Sequence, residues 1–156
     1  MLTVHVWGPM LTLKHRLAGH ASITVGSAYI SWWPEQGVFN TSPHRQRTLR
    51  MDIEAEANRQ PENTIISGLD EKAILDWWSG FGLQRDGKSL HGPMLPYDLA
   101  KQNCSTVAAM ALRAGGGDEY AGGWWVRNNL VWTPRDVGRY AQAINAGLRT
   151  KTAKKK

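Results

Sequence analysis

A chain of 156 residues with 42% hydrophobic and 21% charged side chains has the size and composition of one domain built on one core. Its formal net charge is +6, but Arg149, Lys151, Lys154, Lys155 and Lys156 all fall in the last eight residues, with no acid among them. Without them the body is nearly neutral, which argues against a nucleic-acid partner and predicts a single domain over 1–148 with a basic, disordered tail over 149–156.

No apolar run approaches the roughly 20 residues needed to span a bilayer. The opening MLTVHVWGPMLTLKHRLAG lacks the ordered basic, apolar and small-residue regions of a secretory signal. The expectation is a protein that is cytoplasmic in its producer or secreted without a cleavable signal. One cysteine excludes a disulfide framework and a multi-thiolate zinc site. The five histidines show no metal-ligand spacing, and no phosphate- or dinucleotide-binding glycine motif occurs. Neither a cofactor nor a metal is expected.

In chain order, Leu2–Trp7 alternates apolar and polar residues and predicts a strand ended by Gly8 and Pro9. His20–Val25 and residues 28–33 predict two strands joined by a tight turn at Gly26 and Ser27. Over 48–54, Leu49, Met51 and Ile53 alternate with Arg50, Asp52 and Glu54, which predicts a strand with one wet face. Residues 63–67 predict one more short strand. The period then changes. Ser67 and Asp70 have capping-box spacing for a helix over about 69–79, closed by Gly80. The stretch 81–96, rich in Gly and Pro, predicts a loop. Residues 102–114 form the clearest helix, stopped by Gly115, Gly116 and Gly117. Thr133, Pro134 and Asp136 supply an N-cap, a first-turn proline and an early acid for a last helix to about Ala146. The fold class is α+β: a small, mainly antiparallel sheet with helices packed on one face.

Cys104 falls at the start of the clearest helix, where unpaired N–H groups and a partial positive charge favour thiolate over thiol. The same N–H groups can hold the oxyanion formed by attack on a carbonyl. Cys104, Val107, Ala108 and Ala111 share a face, and their small size lets the helix lie close to a sheet. The alternative is a buried, inert cysteine. His20 shares a strand face with Ser22 and Thr24, opposite Ala21, Ile23 and Val25. It is either a general base for the thiol or a histidine on a solvent face. His5, His15, His44 and His91 have weaker contexts. Of the eight tryptophans, six stand in pairs at 32–33, 77–78 and 124–125. Trp33 and Trp125 are candidates for an aromatic wall against a peptide, sugar or acyl chain, with core packing as the alternative.

The segments GHASITVGSAYISWWP and NCSTVAAMALRAGG resemble the circularly permuted branch of the papain-like (NlpC-type) cysteine hydrolase fold, over residues 19–146. There the histidine strand precedes the cysteine helix, as in lecithin retinol acyltransferase-like domains. The ending WTPRDVGRYAQAI is similar to versions of the domain in bacterial secreted effectors and toxins, type VI secretion included. The resemblance implies that Cys104 is the nucleophile and His20 its base. The fold usually places a His, Asp, Glu, Asn or Gln on the strand after the histidine. Here the Gly26–Ser27 turn pairs Ser22 with Ser31 and brings Ser31 diagonal to His20, so the expectation is a dyad, or one joined by Ser31 as a third, orienting member or steadied by a backbone carbonyl. Gln102 flanks the nucleophile as a substrate or oxyanion contact, and Asn103 is expected to cap the helix.

The resulting expectation is a cysteine-dependent hydrolase or acyl transferase acting on an amide or ester bond of a peptide, peptidoglycan, protein or lipid. Its setting would be a bacterial effector or toxin with an immunity protein or secretion carrier as partner. The alternative is a catalytically inactive domain of the same fold that binds a peptide or glycan.

Overall fold

The computed structural model describes residues 1–12, 16–33, 47–81, 84–85, 88–89, 103–129 and 131–153. Along the chain lie β1 (Leu2–Trp7), β2 (Met10–Leu11), β3 (Arg16–Leu17), β4 (His20–Val25), β5 (Ala28–Ile30), α1 (Leu49–Ala55), β6 (Glu62–Ile66), α2 (Glu71–Gly80), β7 (Gln84–Arg85), β8 (Lys88–Ser89), α3 (Cys104–Ala114), α4 (Gly117–Ala121), α5 (Gly123–Asn128) and α6 (Pro134–Ala153). The fold is α+β, as the residue pattern predicts. Four antiparallel strands form the main sheet in the order β5-β4-β1-β6.

The period-2 pattern of β1 and β4 decides how the sheet is used. In register, Leu2 faces Val25, Val4 faces Ile23 and Val6 faces Ala21, so all six side chains share one face and all six are buried. That face joins Val107, Ala108 and Ala111 of α3 and Val137, Tyr140, Ala141 and Ile144 of α6 in one core. Full burial of a large aliphatic side chain there contributes about 1.5–3 kcal/mol. The small residues of α3 do what their size suggests and seat the helix close against β4. The opposite face carries His5, Trp7, His20 and Ser22, and these are buried as well.

Four expectations change. Residues 49–54 lie in helix α1 and not in a strand, with Thr48 as N-cap accepting from the Met51 N–H. The apolar alternation there misleads: Met51 is exposed, whereas Asp52 and Glu56 are buried. Only a helical period puts Asp52 and Glu56 on one side and the exposed Glu54 on the other. Helix α2 starts one turn later than the Ser67 capping box implies, because Asp70 accepts from the Ala73 N–H at 2.9 Å. Within 81–96, β7 and β8 pair as a short hairpin. Helix α6 continues to Ala153 and takes in residues 149–153 of the stretch read as a tail. Gly147 does not end it; a Cβ there would overlap the Tyr120 carbonyl, so this glycine lets α4 pack directly on α6. Beyond it, Lys151 sits 4.3 Å from the centre of the Tyr120 ring and complements the helix C-terminus.

Gly19, just before β4, adopts φ +86, and a Cβ there would lie 2.4 Å from the Trp7 carbonyl oxygen. Gly19→Ala therefore combines left-handed strain with a clash against backbone. It should lower stability by about 1–3 kcal/mol, read as a fall in the urea midpoint; an unchanged midpoint would mean that this close approach of β1 and β4 carries no constraint.

Candidate active site

Asn103 builds the nucleophile end of α3. Its side-chain oxygen accepts from the Thr106 N–H at 3.0 Å, and its amide donates to the Trp132 carbonyl at 3.1 Å. The expected N-cap is thus present, and it also ties α3 to the segment before α6. Cys104 follows as the first helical residue, buried, in the turn whose N–H groups point out of the helix end and carry its partial positive charge. Its thiol meets the His20 side chain and the backbone N–H of Ala21, and the Ser105 hydroxyl lies 3.9 Å away. The structure therefore brings Cys104 and His20 together, as the resemblance implies.

His20 is not on a solvent face. Its ring is buried between two indoles, with centroids 4.4 Å from Trp33 in a stacked arrangement and 5.6 Å from Trp7. The ring's Nε2 lies 2.9 Å from Oδ2 of Asp52 and 3.0 Å from Oγ of Ser31, which leaves Nδ1 for the thiol. Ser31 is where the hairpin register puts it, beside the imidazole, but it donates its own proton to Asp52 Oδ2 at 2.6 Å. The orienting acceptor is thus the Asp52 carboxylate, and Ser31 buttresses it. Tyr29 donates to the same oxygen at 2.7 Å, while Trp33 and Arg47 donate to Oδ1 at 2.8 and 2.7 Å. Asp52 went unrecognised in the sequence because it sits on a segment whose alternation reads as a strand; the Asp52/Glu56 helical spacing was the available signal.

These contacts set the charges. Burial by itself would depress His20, but the neighbouring Cys104 thiolate and the Asp52 carboxylate prevail and push it up to about 9. Burial would likewise raise Asp52, yet the hydrogen bond and charge of His20, with donation from Ser31 and Tyr29, hold it well below the ordinary carboxylate range. For Cys104 the imidazolium charge and the bonds from His20 and Ala21 outweigh burial and lower the thiol. Neutral pH therefore favours a thiolate–imidazolium pair backed by a carboxylate. His5, on the same sheet face, is lowered by burial and holds Asn63 and Thr24 at 2.7 and 2.8 Å; its role is in the sheet.

Cys104 opens onto a cleft of about 410 Å³. One wall is Pro9, Ala18 and Gly19, and the other runs from Val131 to Arg135. Trp132 lines it, stacked on Trp125 at 5.9 Å and edge-on to Tyr140 at 5.2 Å. Trp125 thus backs the wall and does not form it, and Trp33 belongs to the Asp52 and His20 support. Gln102, His15, His44 and His91 lie outside the described residues. Among the described residues no helix is long and apolar enough to cross a membrane, and no cluster of three metal-ligating side chains occurs.

The IcsB middle domain family matches residues 43–156, and the chain belongs to that family. The matched stretch holds Asp52 and Cys104 and leaves out the strand of His20. Similar proteins include the multifunctional-autoprocessing repeats-in-toxin of Vibrio cholerae serotype O1 and that of Vibrio vulnificus, each 31% identical over 90 residues. That is 58% of this chain but 2% of each relative, so the chain spans a small part of their length. These relatives place the chain among bacterial toxin- and effector-associated domains. No solved structure matches it.

With a single cysteine in the chain, thiol alkylation reports on this site alone. Iodoacetamide should modify the folded protein well below the ordinary thiol range near pH 8.5. His20→Ala should move the onset of reaction up towards that range. A thiol that reacts only after unfolding would return Cys104 to the structural core.

Proposed function

We propose that this member of the IcsB middle domain family is a cysteine-dependent acyl-transfer enzyme with a permuted papain-like fold, breaking an amide or ester bond through Cys104. The observation that carries this reading is the buried row Cys104–His20–Asp52 at the base of an open cleft. A domain that only binds has no use for a buried thiolate–imidazolium pair, whose desolvation is costly. An enzyme does, because the pair holds a nucleophile and an acid ready at neutral pH.

In the proposed sequence the thiolate attacks the substrate carbonyl, and the α3 N–H groups face the developing oxyanion. Collapse of the tetrahedral intermediate breaks the bond to the leaving amine or alcohol, which takes the proton from His20. Cys104 is left as a thioester and His20 as neutral imidazole. His20 then accepts a proton from water or from an acceptor amine or alcohol as that group attacks the thioester, and release of the acyl product restores the thiolate–imidazolium pair. Asp52 holds the ring and its charge throughout.

The cleft favours an apolar acyl group over a glycan. Pro9, Ala18, Val131, Trp132 and Pro134 offer carbon surface, whereas a sugar site needs many polar groups. The toxin relatives suggest that the acylated or cleaved molecule belongs to a target cell.

Two esters test the reading: p-nitrophenyl acetate and p-nitrophenyl octanoate. The expected result is a burst of nitrophenol matching the enzyme concentration, an acyl adduct on Cys104 by mass spectrometry, and neither in Cys104→Ala. The octanoate should react with the higher kcat/KM, each buried methylene adding up to about 0.8 kcal/mol, and Trp132→Ala should reduce that preference. The absence of burst and adduct with both esters would favour the binding-only alternative.

If the pair is the working form, kcat/KM for the better ester should follow a bell-shaped pH profile. Its acid limb reports Cys104 and lies below the ordinary thiol value. Its basic limb reports loss of the His20 proton and lies at about 9. A basic limb near the ordinary histidine value of about 6.5 would contradict the ion-pair assignment.

A further inference from the structure

Asp52 uses its two oxygens for different purposes. Oδ2 faces the reacting side, taking His20, Ser31 and Tyr29, while among the described residues Oδ1 takes Trp33 and Arg47. Arg47 is mostly buried, its side chain 18% exposed. Its guanidinium also lies 4.8 Å from the centre of the Trp33 ring, the same indole that stacks on the His20 imidazole. Arg47 therefore touches the carboxylate directly and the imidazole through one intervening ring.

Resting on the reading above, we propose that Arg47 is a positioning residue for the Cys104–His20 pair: it balances the charge of Asp52 and, with Trp33, clamps Oδ1 so that Oδ2 stays on the ring. The charges around the pair support this. Among the described residues, the titratable and charged groups that face His20 and Asp52 are Cys104 from α3, Tyr29 from β5, His5 from β1 and Arg47 from the segment before α1. Burial keeps Tyr29 and His5 uncharged at neutral pH. Thiolate, imidazolium, carboxylate and guanidinium then alternate in sign along one row, with Arg47 as the second cation. Without it Asp52 would hold the His20 proton more tightly. His20 would become a weaker acid towards the leaving group, and its ring would lose a fixed neighbour.

Two readouts on the full chain test the role: the imidazole titration of His20 by NMR and the rate of Cys104 acylation by p-nitrophenyl acetate. In wild type His20 should titrate at about 9. Arg47→Met should raise that midpoint by about one unit and slow acylation. Arg47→Lys should keep the midpoint near the wild-type value yet still acylate slowly, since an ammonium lacks the planar group that sets Nε on Oδ1 while its Cζ lies over Trp33. If Arg47→Met does not fold, Arg47→Lys decides the matter: slow acylation at an unchanged midpoint supports the role, and wild-type acylation overturns it. An unchanged midpoint and rate in Arg47→Met also overturn it while leaving the cysteine mechanism standing. A wild-type His20 that titrates near 6.5, with no acylation, would remove both.

Discussion

Asp52 is a fully buried carboxylate that stays charged, and much of the site is arranged to make that tolerable. A lone ion of this kind would be protonated or expelled, because the interior cannot replace its water. Here both oxygens are satisfied, by one imidazole, two hydroxyls, an indole and a guanidinium. Removing one partner of such a buried pair characteristically costs about 3–5 kcal/mol. The constraint explains placements that hydrophobicity does not. Helix α1 turns Asp52 inward and leaves Met51 exposed. The chain after β5 keeps Ser31 and Trp33 on the polar face of the sheet, and two tryptophans close over a histidine.

The same carboxylate links fold to chemistry. It fixes the His20 ring through Nε2, so the other nitrogen is presented to Cys104, and its charge favours the protonated ring that in turn favours the thiolate. Helix α3 completes the pair from the opposite direction. Its small residues bring it close to β4, and the Asn103 cap places the sulfur at the positive end of the helix dipole. The sheet therefore separates two functions: an apolar face that supplies stability and a polar face that organises charge. Cys104 and His20 meet at one end of β4, where α3 reaches the strand's first residues.

How much of this was legible in the sequence follows from the range of the forces involved. The strands β1 and β4, the Gly26–Ser27 turn and the helix opened by Asn103 are set by local alternation, turn chemistry and capping, and all were readable. So was the register of the hairpin, Val25 against Ala28 and Ile23 against Ile30, because a two-residue turn fixes it. Asp52 was not readable. Its burial depends on partners from β4, from the chain after β5 and from Arg47, all distant in sequence except the last, and local alternation pointed to a strand. The end of α6 was missed for a similar reason: Gly147 looks like a stop until Tyr120 of α4 is seen packed against it. The cleft depended equally on tertiary placement, since Trp132 and Ala18 approach Cys104 only once α6 and β4 have been assembled.

On the proposed reading Asp52, through His20, holds Cys104 as a thiolate in the folded protein. Ultraviolet thiolate absorbance, followed against pH in wild type and Asp52→Ala, measures this directly because the chain has one cysteine. Wild type should keep its thiolate signal well below the ordinary thiol range near 8.5. Folded Asp52→Ala should gain the signal only at distinctly higher pH. Superimposable titrations of the two proteins, both with an ordinary thiol midpoint, would contradict this reading.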